Sequence, residues 1–260
     1  MIGKAGDSVT SLSQAYPDRV EVRGRNLAGD LMGQVTFTEY FHLLLTGQKP
    51  TEEQRLFLDL VLVALAEHGL MPTNIAARMT LAAAPDALQG AVAAGILGAG
   101  TVVLGTSAAC AELLEEMQAD VATGREPAAV AYATARELHT AGGKVPGFGH
   151  PVHKPVDPRA ERIFELADER GVSGSHIALA LALRQAVADT WGKPLTLNVS
   201  MAIAAVMLDL GFPSASVRAV PILARTASLL AHLAEEEENP LGFLLASKAE
   251  EAIEYRPPAE

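Results

Sequence analysis

The chain has 260 residues, a formal net charge of −11, 49% hydrophobic side chains and a single cysteine. That length and apolar share build a full core and exclude a disordered chain, and the negative balance excludes the basic face a nucleic acid requires. The lone Cys110 excludes internal disulfides and a cysteine-built zinc site, so a cytoplasmic location is expected for a sequence with nothing resembling a signal peptide.

In chain order, residues 1–20 are polar, with a turn at Tyr16-Pro17-Asp18, and Val20 to Arg25 alternates briefly as an extended piece. Helical periodicity then takes over. Thr36-Phe37-Thr38-Glu39 has the form of a capping box ahead of an apolar run that Gly47 and Pro50 close. A second helix starts at Thr51-Glu52-Glu53 and covers Gln54 to Glu67. Further helices are expected at 73–84, 87–99, 106–122, 126–141, 158–170, 175–188, 198–210, 214–233 and 239–254. With only 5% aromatic residues, plentiful alanine and almost no sustained alternation, the fold class is all-α.

The charge-free stretch Ala87 to Ala111 is long enough to resemble a membrane span, but its glycine, alanine, serine and threonine content and its lack of a positive flank read as a buried helix pair. Gly95-Ile96-Leu97-Gly98-Ala99-Gly100 has neither the preceding strand nor the spacing of a phosphate loop. The run Glu235-Glu236-Glu237-Glu238 reads as a solvated helix end.

Pro146-Gly147-Phe148-Gly149-His150-Pro151-Val152-His153-Lys154-Pro155-Val156-Asp157-Pro158-Arg159 cannot be helix interior, because its prolines remove donors and fix φ. It is a loop presenting His150, His153 and Arg159, and so a candidate anion-binding catalytic site. His153 reads as a surface or supporting residue. Arg225 lies on an apolar helix, where an unpaired charge is costly, so an anionic partner is expected, either a ligand or a carboxylate.

The loop resembles the Gly-Phe-Gly-His-Arg-Val-Tyr-Lys-x-x-Asp-Pro-Arg signature of the citrate synthase superfamily. Val22-Arg23-Gly24-Arg25-Asn26-Leu27 and the segment from Thr36 to Pro50 look like the family's opening. Glu67-His68-Gly69 resembles the Asp-His-Gly of the citryl-CoA lyase module of ATP-citrate lyase. Asn198-Val199-Ser200 is similar to the family's Asn-Val-Asp, Leu223-Ala224-Arg225-Thr226 followed by His232 to its Gly-Arg-(Ser/Thr) helix, and Tyr255-Arg256-Pro257 to its carboxy-terminal arginine segment. The order of these matches, and the short length, favour the lyase-like branch.

The resemblance implies a large helical domain, residues 1–145 and 214–260, with a smaller lobe at 146–213, assembled as a homodimer. It implies a coenzyme A thioester as co-substrate, no metal, and no membrane or nucleic-acid partner. The implied reaction is cleavage of citryl-CoA to acetyl-CoA and oxaloacetate, or the reverse condensation. Such chemistry passes through a thioester enolate, and needs donors to developing oxyanions and groups that exchange protons with carbon and oxygen. His150 is then expected at the hydroxyl or carbonyl oxygen, removing the hydroxyl proton in cleavage, and His68 against the enolate. Arg159, Arg225 and Arg256 would hold carboxylates, Arg256 from a second subunit.

The departures matter as much. Ser200 stands where the family has its carbon acid/base aspartate, and is expected to act itself or through a held water. Val103, within Gly100-Thr101-Val102-Val103-Leu104-Gly105, replaces the synthases' enolate-stabilising histidine, as in the lyase module. Pro151 replaces the arginine after the loop histidine. Two alternatives follow: a carboxylate-binding protein that has lost catalysis, and an enzyme for a different hydroxyacyl-CoA.

Overall fold

The structure, a computed structural model, describes residues 9–100 and 102–258. Thr101, in the segment matched to the synthases' histidine motif, lies outside the described residues. The chain divides into two compact units, Met1–Asp59 and Leu60–Glu260, a boundary the sequence did not suggest.

In the first unit, β1 (Ser13–Ala15), β2 (Val20–Val22) and β3 (Arg25–Asn26) form an antiparallel sheet in that order. The Tyr16 amide closes the β1–β2 turn on the Arg19 carbonyl. One π-helical turn, Leu27–Leu31, follows, its first amides capped by the Asn26 side chain. Helix α1 (Phe37–Thr46) begins with the expected capping box of Thr36 and Glu39 and ends at Gly47. Val22, Leu31 and Leu43 form this unit's core, with Val35, Tyr40 and Leu44 packed on it. Helix α2 (Glu52–Ala66) continues across the boundary.

The second unit holds α3 (Pro72–Ala83), α4 (Leu88–Leu97), α5 (Thr106–Ala122), α6 (Pro127–Thr140), α7 (Pro158–Glu169), α8 (Ser175–Trp191), α9 (Val199–Asp209), α10 (Ser214–Glu238) and α11 (Gly242–Glu251). The all-α expectation holds, with the small sheet as its one addition among the described residues. Helix α9 is apolar on every side and Met201 through Met207 are buried, because α5, α7, α8 and α10 surround it. Burying a helix on all faces fixes both of its ends, and its first turn is where Ser200 sits.

Helix α10 is long and apolar enough to cross a membrane, yet it packs on α3, α4, α5 and α9 and carries the buried Arg225. Ala77, Leu81, Ala91, Leu229 and Leu233 join α3, α4 and α10 in one cluster. Gly95 belongs to that packing: a Cβ there would lie 2.7 Å from Leu229 Cδ1, so the glycine allows α4 to approach α10. The expected buried pair over 87–111 is only half covered, since Leu88, Leu97 and Val102 are exposed. The glutamate run is corrected at one position. Glu236 is buried on the α10 face that carries Leu229 and Leu233, and only its neighbours face outward.

Candidate active site

Two walls of the second unit face one cleft. The first is the Pro146–Arg159 loop, tied to the segment that leads into α9. The Gly149 amide donates to the Thr196 carbonyl at 2.7 Å, the Asn198 amide to the Gly147 carbonyl at 2.8 Å, and the Asn198 side chain to the Gly149 carbonyl at 3.0 Å. Gly147 has φ +77° and a Cβ would fall 2.6 Å from Met201 Cβ, so only glycine lets the loop lie so close on α9.

Asp157 anchors the loop's far end. It is fully buried and its Oδ2 accepts the Val199 amide at 3.0 Å while Oδ1 caps α7 through the Arg159 amide. Arg159 completes the arrangement with Nε to Oδ1 at 3.0 Å and Nη2 to Oδ2 at 2.8 Å. Burial pushes the Asp157 carboxyl up, but the Arg159 hydrogen bond and charge and the two amides outweigh it and hold it below the usual carboxylate range. One side chain thus joins the starts of α7 and α9, the two helix ends that present Arg159 and Ser200.

His150 is fixed through its ring. Its Nδ1 accepts the Val152 amide at 3.1 Å and the His153 amide at 2.9 Å. Two backbone donors on one nitrogen leave no room for a proton there, so the neutral ring carries its proton on Nε2. Burial depresses its pKa, with His153, Arg159 and His68 acting the same way against Asp157. His150 is therefore a neutral donor. In this tautomer the ring offers the cleft a donor at Nε2, 3.4 Å from Arg159 Nη2.

The second wall starts where α2 ends. Glu67 Oε1 accepts the backbone amides of His68 and Gly69, and its Oε2 accepts the Ser228 hydroxyl at 2.6 Å and His232 Nε2 at 3.0 Å. His232 Nδ1 in turn accepts Arg78 Nε at 3.0 Å, and the buried Arg78 is paired with Glu235 and, at 2.8 Å, with Glu236. The chain from Arg78 through His232 to Glu67 fixes the backbone at His68. Among the described residues the His68 ring makes edge contacts, with its centroid 5.5 Å from that of His150 and 5.7 Å from that of His153. Burial lowers its pKa, helped by Arg159, His153 and Arg225 and opposed by Asp157, so it is neutral and basic at pH 7.

Arg225 lies 3% exposed between these walls. Its Nη1 donates to Asn74 Oδ1 at 3.1 Å, its Nη2 reaches the Leu65 carbonyl at 3.4 Å, and its Nε has no partner. Among the described residues no carboxylate forms an ion pair with it; burial lowers its pKa and only the charge of Glu67, acting from beyond ion-pair distance, opposes this. An unsatisfied, buried guanidinium N–H favours a bound anion.

The open cleft, of ≈ 750 Å³, is lined by His68, His150, Arg159, Ser200 and Arg225, with Lys144, Asn198 and the apolar Val103 and Phe148. None of its described lining residues is an aspartate or glutamate. Ser200 sits in the first turn of α9, its amide on Asn198 Oδ1. Arg256 is not part of this cleft within one chain: it is exposed after α11 and paired with Glu254. The sequence reading missed Asn74, Arg78 and Lys144. Arg78 lies four residues after Asn74 and three before Leu81 on the buried stripe of α3, which is the signal that could have found it.

His68, His150 and His153 bring one ring nitrogen each within 4.8 Å of one another, a grouping of the kind that holds transition metals and one the sequence reading did not foresee. The ring of His150 does not suit that use: Nδ1 is taken by two amides and Nε2 carries the proton beside Arg159 Nη2, 3.4 Å away.

The fold and cleft define a class: a helical protein whose site combines neutral imidazoles with one buried and one half-buried arginine, suited to a carboxylate-bearing substrate that develops negative charge on oxygen. The family model "Citrate synthase, C-terminal domain" matches residues 15–242, and the chain belongs to the citrate synthase family. The citrate synthase of Heyndrickxia coagulans is 30% identical over 210 residues, covering 79% of this chain and 53% of that protein, and the enzyme of Deinococcus radiodurans is 28% identical over 212 residues. The chain thus spans about half the length of these relatives. Among solved structures, citryl-CoA lyase from Hydrogenobacter thermophilus is similar with a TM-score of 0.85 and 29% identity, covering 98% of this chain and 97% of that one. ATP citrate lyase from Methanothrix soehngenii, in complex with citrate and coenzyme A, shares the fold with a TM-score of 0.76 at 21% identity, over 100% of this chain and 43% of that one.

Proposed function

We propose that this chain is a coenzyme A-dependent carbon–carbon lyase of the citryl-CoA lyase type, cleaving citryl-CoA to acetyl-CoA and oxaloacetate or running the reverse condensation. The observation that carries this reading is the end-to-end likeness to the Hydrogenobacter lyase, joined to a cleft that holds His68, His150, Arg159 and Arg225 together. Valine at position 103, in place of the synthases' histidine, favours the lyase branch.

In this reading Arg159 and Arg225 hold substrate carboxylates, Arg225 through its free Nε–H. His150 donates Nε2–H to the oxygen that passes between hydroxyl and carbonyl, a contribution of about 10²–10³ in rate for one preorganised donor. The co-substrate is the coenzyme A thioester, no metal takes part, and the protein works in the cytoplasm. The smaller lobe at 146–213 belongs to the same proposal. So does a homodimer, which would cover the exposed Leu88 and Leu97 and let Arg256 reach a neighbouring site. Light scattering at twice the chain mass tests that assembly.

The activity test uses purified protein with citryl-CoA, following acetyl-CoA, and with acetyl-CoA plus oxaloacetate, following free thiol. Turnover in either direction supports the reading. Calorimetric binding of carboxylates with no turnover of either mixture contradicts it.

A further inference from the structure

The lyase reading leaves a chemical gap. Cleaving a 3-hydroxyacyl-CoA moves one proton from a hydroxyl oxygen to the carbon that departs, and a carboxylate base would ordinarily do this. Here position 200 is serine, and no described residue lining the cleft is an aspartate or glutamate. Asp157 is fully buried and fully used by Arg159 and two amides. Glu67 is spent on two backbone amides, Ser228 and His232. His150 has no lone pair to offer, for the tautomeric reason given above.

We infer that His68 is the sole proton carrier, taking the hydroxyl proton of a 3-carboxy-3-hydroxyacyl-CoA and returning that same proton to the released carbon. This rests on the lyase reading and deepens it. The His68 ring has backbone support on one side and no hydrogen-bond partner for its nitrogens among the described residues. One of its nitrogens lies within 4.8 Å of a nitrogen of His150, so a single oxygen can hydrogen-bond to both.

The electrons balance without a further reactant. The neutral His68 lone pair accepts the hydroxyl proton and becomes imidazolium. The O–H pair forms the new C=O, the C–C bond breaks, and its electrons become the thioester enolate. His150 Nε2–H steadies the oxygen as it becomes a ketone. Imidazolium then gives its proton to the enolate carbon, which restores neutral His68. Hydroxyl and departing carbon are both attached to the same substrate carbon, so one ring serves both ends. Besides His150, the charged or titratable groups acting on His68 are Arg159, His153, Arg225 and Asp157; burial first, then the three cationic neighbours, lower its pKa, and Asp157 opposes them.

The test compares wild type with His68→Gln and His68→Asn in citryl-CoA cleavage. It also follows exchange of the acetyl-CoA methyl protons in D₂O with malate bound. The inference predicts that both variants bind citryl-CoA within about tenfold of wild type and lose about 10²–10⁴ in kcat. Methyl exchange falls in parallel, and so does the acidic limb of the kcat/KM profile. Turnover or exchange within tenfold of wild type in a folded variant overturns it. Should the variants not fold, wild type decides. An acidic limb whose midpoint moves with temperature, as imidazole ionisation does, supports His68, and one that stays put, as for a carboxylate, overturns it. A wild type that neither cleaves nor exchanges removes the lyase reading, and this inference with it.

Discussion

His150 and His68 face the same cleft and are held in opposite ways. His150 is gripped by its ring: two amides occupy Nδ1, so the imidazole has one orientation and one tautomer. His68 is gripped by its backbone, through Glu67, while its ring stays free. The first arrangement suits a group that must donate to one oxygen and never change. The second suits a group that must gain and lose a proton. The same residue type thus serves two purposes, decided by which atoms the surroundings bind.

The supports of the two histidines also differ. Behind His68 stands a charged network that ties Glu67, just past α2, to α3 and α10 through Arg78, His232, Glu235 and Glu236. Replacing Arg78 by Met is the most disruptive way to separate the walls, since it leaves the buried Glu236 carboxylate facing an apolar side chain. Breaking a buried pair in this way costs about 3–5 kcal/mol, and denaturant unfolding of the variant measures it. The hydrogen bonds and ion pairs of Arg78 among the described residues go to His232, Glu235 and Glu236 and not to the loop carrying His150, so the tautomer there is expected to survive.

Behind His150 stands Asp157. The Asp157→Asn change keeps the side-chain shape but unpairs Arg159 and weakens the link between α7 and α9. A loss of about 1–3 kcal/mol is expected, together with a fall in kcat/KM larger than the fall after Glu67→Gln. The pH dependence carries the sign. The Asp157 pKa is lowered in the folded protein, so its contribution is fully present above the unfolded value of about 3.9 and is lost as pH falls through the folded value. Thermal melts between pH 7 and pH 3 should therefore drop less steeply in Asp157→Asn than in wild type.

The smallest effect expected is that of Ser200→Asp. If His68 already carries the proton, a carboxylate in the first turn of α9 adds less than about tenfold to kcat, within the range a redundant base supplies. A larger gain, measured in the citryl-CoA assay, would mean that the neutral site lacks its base.

Much of this was readable in the chain. The loop was conspicuous because glycine and proline punctuate it, and the helices because their apolar residues recur with the helical period. The capping box at Thr36 and Glu39 was a local pattern and formed as expected. The support behind His68 was hidden, because its contacts join residues 154 to 165 positions apart in the chain. Glu236 looked solvated because it stands in a run of four glutamates, yet it continues the Leu229 and Leu233 stripe at helical spacing. The tautomer of His150 depends on where two loop amides point, which residue order does not state. The short strand β1 carries no alternation of apolar residues, so only its partner β2 was foreseen.

The contrast between a fixed donor and a free base is tested most directly by long-range ¹⁵N–¹H spectra of the histidine rings, assigned with His68→Gln and followed from pH 5 to pH 8. The account predicts a His150 ring with unprotonated Nδ1 and protonated Nε2 at neutral pH, beside a His68 ring that becomes protonated on acidification below pH 6.5. A His150 ring carrying its proton on Nδ1, or a His68 ring that stays neutral to the point of unfolding, would contradict it.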